Sequence, residues 1–509
     1  MERPKLHGHI TQSIIEVCMK QIYLFITYAV VSMLAILVVI ATPALAQEIP
    51  VTTTSNDAKT LFVEGRTLFD NIRFDEARDV FDKALQNDPN FALANIYRAI
   101  VATTDKDFDR HLTKALNNKD QVSEGERLLI EAVNANAQNR PMQAIALVKD
   151  AVEQYPNDKR LHHQLANYYQ SSNMTKEAEK ELYKVIDLDD QFAPAYNNLG
   201  YLYKDMGDYE KAERSFNTYV SLLPEEANPH DSIADLYTKM GEYDLAIEHY
   251  NRALQLNPNF YFSKQKIGNN LVFKGLYEDG RKAYKEAIAI APSVGNKVFM
   301  HQALANTYLY EDNFDQALRE TDAAIKWAEQ ESLSENAATL YQIKAFINLE
   351  KGDIEEAEKS LNACKNIMAN NELTESRKHD LELLSLRNEV LKATKQQDFD
   401  KANTKVENIR EYAVQSDNKN EMDMYHMLNG IVAYEQNDFT KAVQELKKSD
   451  SNNIYGQFYL GMSYQKSGMS EDAKRIFRNI SNWNEHTLEF ALVRNKAKAM
   501  AKMDMAVEE

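Results

Sequence analysis

A period of 34 residues constrains the fold of this chain more than any other feature of its sequence. Residues 193–226 and 227–260 align without a gap, and matched positions carry the same kind of residue, as in the pair Gly207 and Gly241. Further stretches before and after residues 193–260 show the same period. A chain of such short, similar units folds as a stacked array, because no unit can bury its apolar face alone.

Each unit has the pattern of two helices joined by a short turn. Leu199 and Tyr203 lie four residues apart and form an apolar stripe on the first helix. Gly200 allows the second helix to approach closely, and Gly207 can take the positive φ that ends the first helix. Proline then stops the second helix. The repeat-defining structural positions are Gly200, Tyr203, Gly207, Ala212, Pro224, Gly241, Ala246, Pro258, Gly275 and Pro292.

This pattern resembles the tetratricopeptide repeat family, whose helix–turn–helix unit has a Leu-Gly pair, a tyrosine, a small residue, an aromatic residue and a closing proline. The resemblance covers about residues 57–483 and implies an all-α fold, a right-handed α-solenoid in which the first helices line the concave side. Units are expected to begin near residues 58, 92, 125, 159, 193, 227, 261, 298, 338, 383, 423 and 454.

The organisation of the chain follows from the repeats and their flanks. We predict a signal peptide or signal anchor over 1–46, a linker over 47–56, a regular array over 57–330, a looser array with longer units over 331–483, and a C-terminal capping helix and tail over 484–509. Terminal repeats need a polar outer face. The basic residues expected to form that face are Arg494, Lys496, Lys498 and Lys502.

Residues 21–46 predict export of the chain. The segment has no charged residue, follows Lys20 and ends in Ala44-Leu45-Ala46, which is typical of a signal peptide cleaved before Gln47. The apolar run is also long enough to cross a bilayer, so a single-pass anchored ectodomain is the alternative. Both interpretations imply a periplasmic or cell-envelope location, with membrane contact only through this segment if it is not cleaved.

Charge and motif content exclude several classes of function. The formal net charge is -18, whereas a protein that follows a nucleic-acid backbone needs a concentrated basic surface. The sequence also lacks the common signatures of metalloproteases, dinucleotide-binding enzymes, P-loop proteins and serine hydrolases. We therefore expect no nucleic-acid partner, no enzymatic activity, no cofactor and no metal site.

The concave groove implied by the resemblance is the expected working surface. Exposed apolar residues on a polar solenoid mark binding sites, and amide side chains can pair with the backbone of an extended peptide. Packing between neighbouring units is the alternative role for these positions. The predicted partner-binding residues are Asn197, Tyr201, Asp231, Asp235, Phe262, Gln265, Asn269, Phe273, Phe299, Gln302, Asn306 and Tyr310.

The sequence therefore predicts a non-catalytic scaffold of the cell envelope that binds a protein through its groove, in the assembly or secretion of an envelope complex. The alternative is an accessory protein that handles carbohydrate or another polymer, with groove aromatics stacked on sugar rings. Because Tyr310 is predicted to line the groove, Tyr310→Asp is expected to weaken partner binding and leave the melting temperature nearly unchanged.

Overall fold

A computed structural model describes residues 48–369, 373–416 and 418–502, and within these ranges all regular secondary structure is helical. The predicted signal segment therefore lies outside the described residues, as do the last seven residues of the predicted tail. Among the described helices, none combines the length and the apolar character that a membrane span requires. The all-α fold predicted from the sequence is confirmed.

Twenty-five α-helices and one 3₁₀ turn (Lys119–Gln121) follow one another along the described chain. The helices are α1 (Asn56–Asp70), α2 (Phe74–Asn87), α3 (Ala92–Ile100), α4 (Asp105–Asn118), α5 (Glu124–Ala137), α6 (Pro141–Gln154), α7 (Lys159–Ser171), α8 (Thr175–Leu188), α9 (Ala193–Met206), α10 (Tyr209–Leu222), α11 (Ala227–Met240), α12 (Tyr243–Leu256), α13 (Tyr261–Phe273), α14 (Tyr277–Ile290), α15 (Val294–Leu309), α16 (Phe314–Gln330), α17 (Ser334–Lys351), α18 (Ile354–Ala369), α19 (Glu375–Lys395), α20 (Phe399–Ser416), α21 (Lys419–Glu435), α22 (Phe439–Leu446), α23 (Ile454–Lys466), α24 (Ser470–Ser481) and α25 (Leu488–Met500).

Consecutive helices pack as twelve pairs, from α1 with α2 to α23 with α24, and α25 is a final single helix. Most pairs begin at or near the residue that the period predicts; the pair of α9 and α10, for example, begins at Ala193. The largest shift occurs at the tenth pair, which begins at Glu375 rather than near residue 383. Its first helix has 21 residues, so the unit is longer at its N-terminal end.

A small residue lets the two helices of a pair touch. A Cβ atom built on Gly200 of α9 would lie 2.5 Å from Phe216 Cε1 of α10. Tyr203 and Ala212 are buried at the same contact. Gly207 has a φ of 77° and directly follows the last residue of α9, so the turn needs a residue that tolerates the left-handed region.

The next pairs use the same residues in the same way. Gly241 and Gly275 have φ values of 83° and 84°, and each follows the end of a first helix. Ala246 is fully buried at the start of α12. The repeat-defining prolines come two residues after the end of a second helix, at Pro224, Pro258 and Pro292.

The described chain forms two compact units. Unit 1 contains residues 48–66 and 75–190, and unit 2 contains residues 67–74 and 191–502. The sequence places a soft division at 330–336, between a regular and a looser array. In the structure this stretch is instead a turn inside unit 2, where α16 and α17 pack against each other.

Residues 48–55 are not the free linker that the sequence predicts for 47–56. The segment has no regular secondary structure, but the backbone N–H groups of Ile49, Thr52 and Thr54 all donate hydrogen bonds to carboxylates of unit 1. Helix α1 begins directly afterwards at Asn56. The prediction failed because a Thr-rich, polar sequence carries no periodic signal of its own.

The close contact at Gly200 yields a test of the pair geometry. Gly200→Ala is expected to lower the free energy of unfolding by about 1–3 kcal/mol, because the new methyl group overpacks the contact with Phe216. The matched control is Gly295→Ala in α15, where the nearest atom to a new Cβ is Ser293 Oγ at 3.8 Å. The control is expected to be neutral or stabilising, and urea denaturation measures both. Equal effects would contradict the role of the contact.

Candidate partner-binding site

The predicted groove residues all lie in unit 2, on the first helices of four consecutive pairs (α9, α11, α13 and α15) or directly after them. The structure separates them into three groups. One group forms a polar network, a second forms an open stretch, and the third is covered by the C-terminal part of the same unit.

Lys266 of α13 is the centre of the polar network. Its Nζ donates hydrogen bonds to Asp231 Oδ2 at 2.6 Å and to Asp235 Oδ2 at 2.9 Å. Tyr201 donates to Asp235 Oδ2 at 2.8 Å, and Tyr250 donates to Asp235 Oδ1 at 2.6 Å. The structure therefore brings the predicted residues Tyr201, Asp231 and Asp235 together, around a cation that ties three consecutive helix pairs.

Burial and charge compete at the two aspartates. Burial raises the pKa of Asp231, and the attraction of Lys266 only partly offsets this effect. Burial acts in the same direction on Asp235, but Lys266 and the two tyrosine hydroxyls outweigh it and lower the pKa of Asp235. Burial also raises the pKa of Tyr201 and of Tyr250 well above the usual range, so both hydroxyls remain donors at neutral pH.

Sequence reasoning missed Lys266. Its signal was present, because the residue lies about one period after Asp231 and Asp235 and between their equivalents Gln265 and Asn269. Lys266 is one residue away from the groove positions known from the family, so the predicted set does not include it.

The open stretch contains two exposed aromatic rings. Phe262 is 41% exposed and Phe299 is 56% exposed. The ring of Phe262 lies 4.1 Å from that of Tyr261, measured between centroids, and the Tyr261 hydroxyl accepts a 2.8 Å hydrogen bond from Asn296 Nδ2. Asn296 precedes Phe299 by about one turn of α15, so one hydrogen bond joins the turn of α13 that carries Phe262 to the part of α15 that carries Phe299.

Two amide oxygens of the predicted set have no hydrogen-bond partner among the described residues. Asn197 is buried on α9, and its Oδ1 is unpaired. Gln302 Nε2 donates to Asn306 Oδ1 at 3.0 Å, which leaves Gln302 Oε1 unpaired. Leaving a buried acceptor unsatisfied costs about 1–3 kcal/mol. Of the other predicted amides, Asn269 accepts from a tyrosine of α14, and Gln265 is buried.

Phe273 and Tyr310 are not exposed groove residues, because the chain itself covers them. They are 4% and 3% exposed. His486 stacks on Tyr310 with the ring centroids 5.6 Å apart and an interplanar angle of 12°. The guanidinium carbon of Arg494 lies 5.1 Å from the centre of the Phe273 ring, and Phe490 of α25 contacts both aromatic rings. These two predicted residues pack against the C-terminal segment.

Hydrogen bonds hold the segment between α24 and α25 in place. Asn484 Oδ1 accepts from the Tyr243 hydroxyl at 2.6 Å. His486 Nε2 donates to the carbonyl oxygen of Ala303 at 2.9 Å, because a carbonyl can only accept. The other ring nitrogen then accepts from the Tyr310 hydroxyl at 3.2 Å. Burial lowers the pKa of His486 to about 4, in agreement with a neutral imidazole.

Helix α25 differs from the outer cap that the sequence predicts. Arg494, expected on a polar outer face, is buried and donates from Nη1 to the carbonyl oxygen of Phe273 at 3.1 Å. Lys496 forms an ion pair with Asp312 at 3.4 Å. The helix packs against α15, α23 and α24, so it joins the last pair to the eighth pair within unit 2.

Metal binding and thiol chemistry have little support in the part of the chain that the structure describes. Across them, no three His, Cys, Asp or Glu side chains lie close enough together to hold a metal ion. His162 has a structural role, with Nδ1 2.5 Å from Glu181 Oε2 and Nε2 2.9 Å from the carbonyl oxygen of Pro156. Burial raises the pKa of Cys364, which disfavours the reactive thiolate.

Comparison with protein families gives matches in both units. Four family models described as tetratricopeptide repeat match residues 62–117, 159–192, 193–225, 232–260 and 455–482. None of the curated proteins matches the chain.

Solved structures also resemble parts of the chain. One is a tetratricopeptide repeat protein from Parabacteroides merdae, with 17% identity and a TM-score of 0.36 over 52% of this chain and 99% of that one. Another is MamA, with 24% identity and a TM-score of 0.28 over 33% of this chain and 91% of that one. A third is YrrB, described as a TPR protein with an unusual peptide-binding site, with 22% identity and a TM-score of 0.26 over 36% of this chain and 94% of that one.

The burial of Tyr310 reverses the expectation from the sequence. Tyr310→Asp is now expected to lower the free energy of unfolding by at least about 3 kcal/mol, because it removes a buried ring and buries a carboxylate. The matched control is Phe299→Asp, which makes the same kind of change at an exposed ring and is expected to stay within about 0.5 kcal/mol of the parent. Urea denaturation followed by circular dichroism compares them. Similar stability of the two variants would mean that Tyr310 is not covered in solution.

Proposed function

We propose that this tetratricopeptide-repeat protein is a non-catalytic scaffold that binds a protein partner through the open stretch of unit 2. The observation that carries the proposal is the exposure of Phe262 and Phe299 on consecutive first helices. Large apolar rings on a surface otherwise rich in charge mark an interaction site. The covered part of the predicted groove, with Phe273 and Tyr310, is not included in the site.

The open stretch fits an extended segment of a protein. Gln302 follows Phe299 by three residues, so both side chains lie on the same face of α15. Gln302 Oε1 is itself buried, so the packing that anchors such a segment comes from the two exposed aromatic rings.

The proposed setting is the cell envelope, with a role in the assembly or secretion of an envelope complex. The support is the uncharged segment 21–46 and its ending in Ala44-Leu45-Ala46, which is typical of an export signal. A single-pass anchored ectodomain is the second form of the same proposal, and it differs only in whether that segment is retained.

Partner capture tests the proposed site. The full chain is cross-linked in the cells that produce it and purified beside the double variant Phe262→Ser/Phe299→Ser. Recovery of the partner is expected to fall by at least about tenfold, because exposed aromatic anchors dominate binding energy. The matched control is Leu245→Ser/Val414→Ser, which removes two exposed apolar residues from second helices of unit 2. Equal recovery with all three proteins would contradict the site.

N-terminal sequencing of the exported protein tests the location. The mature chain is expected to begin at Gln47, because a small residue at Ala46 suits the signal-peptidase pocket. Ala46→Phe is the control, since it removes the small residue, and it should retain segment 21–46. A parent protein that keeps this segment in the envelope fraction would be an anchored ectodomain, and a parent protein found only in the cytoplasm would contradict the envelope role.

A further inference from the structure

Residues 48–54, which we call the strap, cross the second, third and fourth helix pairs of unit 1. Each of these pairs presents one carboxylate near the start of its first helix. Asp88 lies shortly before α3, Glu126 lies in the first turn of α5, and Asp158 directly precedes α7. The three carboxylates are 7%, 0% and 5% exposed, respectively.

The strap meets these carboxylates mainly with its backbone. The N–H of Ile49 donates to Asp158 Oδ2 at 2.8 Å and that of Thr52 to Glu126 Oε1 at 2.8 Å. The N–H of Thr54 donates to Asp88 Oδ2 at 3.1 Å. Threonine hydroxyls add further donors, since the side chain of Thr52 reaches Glu126 Oε2 at 2.5 Å and two more hydroxyls reach Asp88 Oδ2 at 2.5 and 3.3 Å.

Each carboxylate also serves its own repeat. Asp158 Oδ1 caps α7 by accepting from two N–H groups of its first turn. Glu126 Oε2 completes the capping box of α5 with Ser123, and Asp88 Oδ1 accepts from a backbone N–H of the following turn. The oxygens that accept from the backbone N–H groups of the strap are Asp158 Oδ2, Glu126 Oε1 and Asp88 Oδ2, and the repeats use the other oxygen of each carboxylate. Because a buried charge needs partners, the strap completes one carboxylate in each of three successive repeats.

The strap itself contributes little to the core of unit 1. Ile49 is its single buried side chain, and it packs over Gly125. All other strap residues are at least partly exposed. The strap contacts unit 1 through backbone N–H groups, hydroxyls, one apolar side chain and an ion pair between Glu48 and Arg160 at 3.8 Å. No residue of the strap belongs to a helix, so its release breaks none.

We propose that the surface under the strap is a peptide-binding site of unit 1, which a segment of a protein partner occupies in place of the strap. The segment that fits is extended and has a β-branched apolar residue, followed three and four positions later by threonine or serine. Acidic residues between these positions are excluded by the three carboxylates. The site lies at the starts of first helices and does not depend on the proposed function of the open stretch in unit 2.

Peptide binding to a strap-released variant tests the proposal. The probe is a fluorescent peptide with the sequence of residues 48–56, and the variant is the full chain with Ile49→Asp/Thr52→Pro. Proline removes one N–H donor, and aspartate places a charge beside Asp158. The probe is expected to bind this variant at least about tenfold more tightly than the parent chain, whose strap competes. A probe with proline at the position of Thr52 should not bind.

Asp158→Asn in the strap-released variant is the matched control for the site. Asparagine caps a helix as well as aspartate does, so the melting temperature should be preserved. Its Nδ2 would then face the N–H of the incoming peptide, so probe affinity is expected to fall by at least about tenfold. Unchanged affinity in this control would overturn the proposal.

Hydrogen exchange tests whether the strap is docked in the parent chain, and folding measurements test whether unit 1 folds without it. In the parent chain, the amides of Ile49, Thr52 and Thr54 are expected to be protected, and lack of protection would overturn the docked strap. A strap-released variant that fails to fold would show the strap to be a structural part of unit 1 and would also overturn the proposal. Failure of the proposed open stretch would appear separately, in partner capture with variants of unit 2.

Discussion

The contact between a small residue of the first helix and a large side chain of the second fixes the geometry of the helix pairs. Gly200 meets Phe216 and Gly461 meets Phe477 at the same separation in sequence, and a Cβ atom at either glycine would lie within 2.6 Å of the ring. The separation sets where the helices cross. Within each unit, neighbouring first helices also contact one another, and all the candidate groove residues lie on first helices or directly after them.

Contacts of this kind are predictable because they are local and periodic. The period places Tyr201 and Asp235 at equivalent positions of neighbouring units, and the structure joins them by a hydrogen bond. The turn glycines and the starts of most helix pairs follow from the same repeat. The pairing of Lys266 with two aspartates was not predicted, because Lys266 lies one residue away from the groove positions of the repeat, although its spacing from the aspartates is about one period.

Contacts that break the period were not predictable. Asn484 bonds to Tyr243 over 241 residues, and Ile49 bonds to Asp158 over 109 residues. Neither Ile49 nor Asn484 lies in a stretch with apolar periodicity. The Thr-rich strap has the composition of a linker, and the basic last helix has the composition of an outer cap. Arg494 shows the physical reason. Its guanidinium is buried because a carbonyl oxygen and the ring of Phe273 replace the water it leaves, and charge alone gives no sign of such partners.

The two units show how a repeat array acquires binding surfaces. Stacking satisfies the apolar faces of the helices, but each repeat also exposes polar groups at its first helix, and these need partners from elsewhere. In unit 1 the strap donates to carboxylates at three helix starts, and in unit 2 the C-terminal segment donates to the carbonyl oxygens of Phe273 and Tyr310, at the ends of two first helices. The amide oxygens of Asn197 and Gln302 have no such partner within the described chain. At the site proposed under the strap, the strap itself competes with a partner, whereas a partner at the open stretch proposed in unit 2 displaces no described segment. The two proposed sites would therefore differ in regulation.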